Sequence, residues 1–187
     1  STTHETWKID RRHTAFASPP DTAGQVIFVT PEQAQKDFPK VYERVWRDRP
    51  GMLKRGERRW ERRFEDGDDL HSGATKFFFA SYRNNGNTDG YVIYRIRWSD
   101  STLIVHELIA ATDEAYALLW QYCFGVDMMS TIEVAGPYRE TGRPSDDPLP
   151  WMLADQRRLE RTPIDAIYLR LADVGSALAG RNFAADG

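Results

Sequence analysis

The chain has 187 residues, of which 41% are hydrophobic and 12% aromatic, a composition that supports one packed domain and argues against disorder. Its formal net charge of −3 gives no overall basic field for nucleic acid or an anionic membrane. The single cysteine, Cys123, excludes an internal disulfide and leaves no cysteine cluster for zinc. No run approaches the roughly 18 apolar residues of a membrane helix. We therefore predict a cytoplasmic protein that binds no metal, nucleic acid or membrane.

The first third of the chain predicts a strand, a second strand and a helix. Trp7 and Ile9 lie in a short strand-like segment, and residues 25–30 are apolar and rich in β-branched side chains. The order Thr30-Pro31 has the form of an N-cap followed by a first-turn proline. We therefore expect a helix from residue 31, which Pro39 should interrupt.

A strongly basic segment follows, with cationic side chains at Lys54, Arg55, Arg58, Arg59, Arg62 and Arg63. Together with Trp60, these cations could grip a nucleic acid backbone. Glutamates at four-residue spacing, at positions 57, 61 and 65, instead indicate a solvated helix with ion pairs along its surface. The acidic balance of the whole chain favours this second interpretation.

The middle of the chain predicts a sheet and one further helix. Residues 76–83 and 91–98 predict two strands joined by a turn rich in Asn and Gly, and residues 103–110 predict a central strand. A helix should follow from Thr112 as its N-cap, and residues 130–134 should return as a strand. This order predicts an α+β fold with a mixed, mostly antiparallel sheet flanked by helices.

The same element order is that of the GNAT, or acyl-CoA N-acyltransferase-like, fold, and five stretches resemble one family that contains it. In chain order they are residues 41–44 with 49–51, 90–95, 107–116 with 119–120, 147–155, and 169–171 with 173–174. Residues 147–155 are the most specific, because they resemble the signature D-P-L-P-x-L-L-x-D. Together they resemble the second GNAT domain of Eis (enhanced intracellular survival) N-acetyltransferases and the start of the sterol-carrier-like domain after it.

The resemblance implies three parts in this chain. Residues 1–24 would be a linker and strand from a preceding domain, 25–165 a degenerate GNAT-like domain, and 166–187 the start of a sterol-carrier-like domain. The parent enzyme would transfer acetyl from acetyl-CoA to an amine on an aminoglycoside, a lysine or a polyamine. Its partners would be the neighbouring domains and, in a homo-oligomer, further copies, which the basic segment could contact. The catalytic residues would lie in the other domains, so we name none in this chain.

The junction after the central strand predicts that this chain holds no acetyl-CoA by itself. A GNAT domain that binds the cofactor grips its pyrophosphate with a loop of the form Arg/Gln-x-x-Gly-x-Gly/Ala, whose glycines let the backbone approach the phosphate oxygens. Residues 110–114 here read Ala-Ala-Thr-Asp-Glu, with neither glycine nor cation. Asp113 and Glu114 also place negative charge at the helix N-terminus, where it opposes a phosphate. Acetyl-CoA is then a co-substrate of the parent enzyme only.

Three residues are candidates for the substrate pocket. Asp146 and Asp147 precede Pro148 on a stiff loop, where they could attract a polyamine or simply begin a turn. Trp60 could cap a cationic substrate with its ring, or pack in the core beside Phe64. Two functions remain open: a scaffold and pocket wall within an amine acetyltransferase, or a stand-alone degenerate GNAT that binds a protein or a small molecule without catalysis.

Overall fold

The computed structural model describes residues 2–18, 20, 24–49, 52–67, 71–134, 147–167 and 172–180, with side chains described for all of these except residues 2–4 and 164–167. Within these residues the chain forms seven strands and five α-helices. The strands are β1 (Thr2–Asp10), β2 (Gln25–Val29), β3 (Phe78–Asn84), β4 (Asn87–Arg97), β5 (Thr102–Ala110), β6 (Thr131–Val134) and β7 (Glu160–Ile167). The helices are α1 (Pro31–Val45), α2 (Glu57–Phe64), α3 (Asp113–Gly125), α4 (Leu149–Met152) and α5 (Val174–Ala179). No helix in the described ranges has the length and apolar character needed to span a bilayer.

All seven strands belong to one mixed sheet with the order β2-β3-β4-β5-β6-β1-β7. β5 and β6 run parallel, and every other neighbouring pair is antiparallel. This confirms the predicted α+β fold with a mostly antiparallel sheet. The segment around Trp7 forms β1, which lies between β6 and β7. The predicted domain divisions at residues 24 and 165 stay predictions about a longer protein.

Helix α1 begins as its sequence indicates but does not stop where we expected. Thr30 and Gln33 form a capping box, in which each side chain accepts a hydrogen bond from the other residue's backbone N–H. The predicted interruption at Pro39 is wrong, because α1 continues through it to Val45. The neighbouring Phe38 is buried, and its ring stacks on Tyr91 with centroids 4.1 Å apart. This packing compensates for the helical hydrogen bond that the proline removes.

The β3–β4 hairpin is tighter than the sequence suggests. β4 already begins at Asn87, so only Asn85 and Gly86 form the loop, and both have positive φ, 48° and 81°. Asn-Gly is the preferred pair for a two-residue turn with left-handed backbone at both positions, because such a turn matches the twist of the strands. The hairpin therefore extends further toward α1 than a seven-residue loop would allow.

Apolar side chains fill both sides of the sheet. On one side α3 packs with Trp120, Leu119 and Cys123 fully buried against the strands. On the other side α1 and α2 cover a second apolar layer that includes Phe38 and Tyr91. Because both faces of the sheet are covered, most residues of β4 and β5 are buried, and burial does not alternate along these strands.

Gly90 in β4 allows α3 to approach the sheet closely, which gives a first testable prediction. A Cβ atom at Gly90 would lie 2.8 Å from Leu119 Cδ1 and 3.1 Å from Ala115 Cβ. We expect Gly90→Ala to lower the free energy of unfolding by about 1–3 kcal/mol, because the helix must move away. Urea denaturation measures this. Gly125→Ala is the matched control, since a Cβ there meets nothing within 4 Å, and an equal effect of the two changes would contradict the steric explanation.

Candidate functional site

The junction of β5 and α3 is the place where a GNAT domain would hold the acetyl-CoA pyrophosphate. The Ala111 N–H donates a hydrogen bond to the Asp89 carbonyl oxygen at 2.7 Å. Thr112 is the N-cap of α3, and its side chain accepts a hydrogen bond from Ala115 N. Asp113 and Glu114 are exposed in the first helical turn. The geometry thus combines satisfied backbone groups with two carboxylates, an arrangement that stabilises the helix and disfavours an anionic ligand.

A β-bulge in β5 changes which face of the sheet its last residues occupy. Ile93 pairs with Glu107 while the next residue, Tyr94, pairs with Val105, so His106 is the extra residue. A bulge of this kind shifts the alternation of side chains by one position. Glu107 consequently lies on the α1–α2 side of the sheet, where it meets groups from β4, from α2 and from the loop before α2.

Glu107 is the centre of a buried charge cluster, by which we mean Glu107, Arg55, Arg63 and Tyr91. Arg55 binds the carboxylate through both terminal nitrogens, Nη1–Oε1 at 3.0 Å and Nη2–Oε2 at 2.6 Å. Arg63 Nε lies 3.4 Å from Oε2, and the Tyr91 hydroxyl donates to Oε1 at 2.7 Å. The side chains of Glu107, Arg55 and Arg63 are 0%, 3% and 7% exposed. A buried carboxylate is tolerated here because two guanidinium groups and a hydroxyl compensate for its lost hydration.

The charge cluster holds its groups in fixed protonation states. Burial alone would raise the pKa of Glu107, but the charges of Arg63 and Arg55 and the hydrogen bonds from Arg55 and Tyr91 lower it to about 2. Burial would lower the pKa of Arg55, and Glu107 outweighs this so that the pKa is raised. Burial and the neighbouring carboxylate raise the pKa of Tyr91 well above its ordinary value. The shifted pKa values of Glu107, Arg55 and Tyr91 all lie away from neutral pH, so we assign these groups a structural role.

The lowered pKa of Glu107 gives a second prediction, on pH dependence. A carboxylate whose pKa is lower in the folded than in the unfolded protein stabilises the fold above the unfolded pKa and loses this contribution as the pH falls through the folded value. With a folded pKa of about 2, the contribution of roughly 3 kcal/mol should disappear between about pH 5 and pH 2. The stability difference between the wild type and Glu107→Gln, measured by urea denaturation, should shrink over that range. A difference that stays constant would contradict the prediction.

The charge cluster also corrects the interpretation of the basic segment. Arg58, Arg59 and Arg62 are exposed on α2, as a solvated helix requires, but Arg55 and Arg63 are buried, so the prediction is wrong for these two. Their counter-ion is Glu107, which lies 52 positions from Arg55 in the sequence. The spacing of neighbouring charges therefore cannot indicate this ion pair. The available signal was a glutamate within the apolar strand of residues 103–110, since a buried carboxylate needs a cationic partner.

Trp60 lies between the aromatic core and an open cleft. Its ring packs edge-on against Tyr42 and stacks on Phe64, with centroids 5.5 and 5.8 Å apart. The Arg55 guanidinium lies 5.1 Å from its centroid. The cleft beside it, about 770 Å³ in volume, is lined by more cations than carboxylates: Lys40, Arg44, Arg47 and Arg55 against Glu43 and Asp48. This surplus does not favour a cationic amine, and a role of Trp60 in substrate binding stays a prediction.

Asp147 is buried and holds two parts of the chain together. Its Oδ1 accepts hydrogen bonds from the Tyr116 hydroxyl in α3 and from the Leu149 N–H, the latter at 3.1 Å. Burial and the adjacent Asp147 raise the pKa of Tyr116 well above its ordinary value, so this hydroxyl remains a donor. Asp146 lies outside the described residues. The predicted substrate contacts of both aspartates stay predictions.

The mixed sheet, with its parallel β5–β6 pair and flanking helices, is the architecture of a GNAT-type acyltransferase domain. Residues 51–171 match the family model described as an acetyltransferase (GNAT) domain. The chain therefore belongs to the GNAT acetyltransferase domain family.

The relatives found are similar to this chain along almost its whole length. An uncharacterized N-acetyltransferase of Streptomyces avermitilis is 31% identical over 206 aligned residues, covering 99% of this chain and 46% of that protein. N-acetyltransferase Eis of Mycobacterium tuberculosis is 32% identical over 192 residues, covering 98% of this chain and 44% of its own length. The crystal structure of Eis1 from Mycobacterium abscessus superposes with a TM-score of 0.67 at 29% identity, covering 97% of this chain and 44% of that one. These similarities confirm the predicted Eis-like character. The chain spans less than half the length of these relatives.

Proposed function

We propose that this chain is the central scaffold and pocket wall of an acetyl-CoA-dependent N-acetyltransferase that acts on an amine. Relatives that carry the name N-acetyltransferase are more than twice as long as the matching region, which leaves room for a separate domain that binds acetyl-CoA. In the reaction, the amine nitrogen attacks the thioester carbonyl, the thiolate of coenzyme A leaves, and the amine loses a proton. Groups of neighbouring domains would carry these steps, with an aminoglycoside, a lysine or a polyamine as the acetyl acceptor.

The observation that carries this proposal is the chemistry of the β5–α3 junction. The pyrophosphate of acetyl-CoA needs open backbone N–H groups and a positive helix end. At this junction the Ala111 N–H is bonded to Asp89, and Asp113 and Glu114 supply negative charge. The fold of an acetyltransferase domain is thus present without the features that bind its cofactor, as expected of a domain that supports a neighbour's active site.

A titration with acetyl-CoA tests the proposal and is our third prediction. We expect no saturable change in the amide NMR signals of residues 111–115, because the junction repels the pyrophosphate. The longer parent protein, which would include the preceding GNAT domain and its glycine-rich loop, should bind acetyl-CoA and acetylate an amine. Saturable micromolar binding at residues 111–115 of this chain would overturn the proposal.

The alternative, a stand-alone degenerate GNAT that only binds a protein or a small molecule, makes a different prediction about the gene. Under the scaffold proposal the reading frame continues upstream into a strand–helix unit with the loop Arg/Gln-x-x-Gly-x-Gly/Ala. Under the alternative no such unit precedes residue 1. The homo-oligomer and the cytoplasmic location belong to the same proposal and are checked on the parent protein by its mass in solution and by cell fractionation.

A further inference from the structure

A second cleft, which we call the hairpin cleft, lies between α1 and the β3–β4 hairpin. Its volume is about 340 Å³, and its lining consists of Asp37, Lys40, Val41, Arg44, Arg83 and the hairpin residues 86–88. Three of these side chains are cationic and one is a carboxylate. The hairpin cleft therefore carries a positive charge surplus, although the chain as a whole is acidic.

The fold holds one of the three cations, Arg44, in a fixed position. Lys40 and Arg44 are one helical turn apart on α1, so they share one face of the helix. β4 contains a bulge at Asp89, because Tyr82 pairs with Gly90 while Arg83 pairs with Thr88. The Asp89 carboxylate binds Arg44 Nη2 at 2.8 Å, and the Thr88 carbonyl accepts a hydrogen bond from Arg44 Nη1 at 3.2 Å. Arg44 is thereby fixed to the base of the hairpin.

Arg83 is the member of the hairpin cleft with unused hydrogen-bonding capacity. Its Nε–H is buried and has no hydrogen-bond partner among the residues that the structure describes. Its Nη2 lies 3.9 Å from Asp37 Oδ2, at the outer limit of an ion pair. Asp37 Oδ1 already binds Lys40 Nζ at 3.1 Å. One carboxylate thus serves two cations, and a buried guanidinium N–H remains unsatisfied, which is unusual in a folded protein.

We propose that the hairpin cleft binds a phosphate group of a small molecule. A guanidinium presents two parallel N–H donors that match two phosphate oxygens, and a lysine ammonium adds a mobile positive charge. Arg83 and Lys40 would contact the phosphate, with Arg44 contributing charge from the cleft wall. Arg83 would bind through its terminal nitrogens, because its Nε is closed off from the cleft. This site goes beyond the proposed function, because its lining contains none of residues 110–114 of the β5–α3 junction.

Calorimetric titration of the whole chain with inorganic phosphate and with pyrophosphate, at low ionic strength, tests the site. We expect saturable binding with one site per chain, and Arg83→Gln or Lys40→Gln should each weaken it by about tenfold or more. Asp37→Asn should instead tighten binding several-fold, because it removes the carboxylate that competes for both cations. A structural role alone would not produce this opposite sign. Arg58→Gln, which removes an exposed cation from α2, is the matched control and should leave binding unchanged.

Three results would overturn the proposal: heats that never saturate, an Arg58→Gln variant that loses as much affinity as Arg83→Gln, or an Asp37→Asn variant that binds more weakly. If Arg83→Gln fails to fold, Lys40→Gln and Asp37→Asn still decide the question. A parallel titration with coenzyme A distinguishes the two sites. Coenzyme A binding that Arg83→Gln abolishes would assign its phosphates to the hairpin cleft, whereas binding that survives and shifts residues 111–115 would contradict the proposed function instead.

Discussion

Replacing Glu107 by glutamine should lower the free energy of unfolding by about 3–5 kcal/mol, because the change leaves two buried guanidinium groups without their counter-ion. Arg55 and Arg63 both form ion pairs with this carboxylate. Urea denaturation followed by tryptophan fluorescence measures the effect. Glu61→Gln, an exposed position on α2, should change stability by no more than about 0.5 kcal/mol.

A triple variant tests whether Glu107→Gln lowers stability through unbalanced buried charge or through poorer packing. Replacing Glu107, Arg55 and Arg63 together by methionine removes every ionic member of the charge cluster while keeping a similar volume. Buried ion networks replaced in this way often leave stability unchanged or increased. We therefore expect the triple variant to be more stable than Glu107→Gln. If it is less stable, two hydrogen bonds contribute more than the charges do: the one from the Tyr91 hydroxyl to Glu107, and the one at 2.8 Å from Arg63 Nη2 to the His106 carbonyl oxygen.

Asp147→Ala should have the second largest effect, a loss of about 2–4 kcal/mol, because it removes the acceptor of two buried donors. These donors are the Tyr116 hydroxyl and the Leu149 N–H, and Tyr116 is only 5% exposed. Thermal and urea unfolding measure the loss. Asp127→Ala, at a side chain that is 97% exposed, is the control and should be nearly neutral. An unchanged unfolding midpoint for Asp147→Ala would contradict the structural role and favour the predicted substrate contact.

The parts of the fold that local chemistry determines could be predicted from the sequence. Thr30 and Thr112 mark helix starts because an N-cap hydroxyl binds backbone N–H groups only three positions away. The apolar runs in the middle of the chain predict strands because their neighbours are turn residues. The continuation of α1 through Pro39 could not be predicted, because it depends on a contact that is not local: the packing of Phe38 on Tyr91 joins two elements far apart in the chain.

The candidate sites also divide into those formed by consecutive residues and those assembled from distant parts of the chain. The missing cofactor loop could be predicted, since its five residues are consecutive and their chemistry is sufficient. The charge cluster and the hairpin cleft could not, because each assembles side chains from separate elements. The sequence reveals Lys40 and Arg83 only as two cations. Their shared cleft depends on how the β3–β4 hairpin packs on α1. A bulge such as the one at His106 is also invisible in the sequence, although it decides which face Glu107 occupies.

The position of β1 between β6 and β7 has a mechanical consequence. Thr2 pairs with Ile167, and the ladder runs from there to Lys8 and Glu160. A tension pulling residues 2 and 167 apart would therefore open this ladder like a zipper, one pair at a time, rather than shearing all pairs at once. Thr2 and Ile167 lie side by side at one end of the ladder, so a load applied there acts first on this terminal pair.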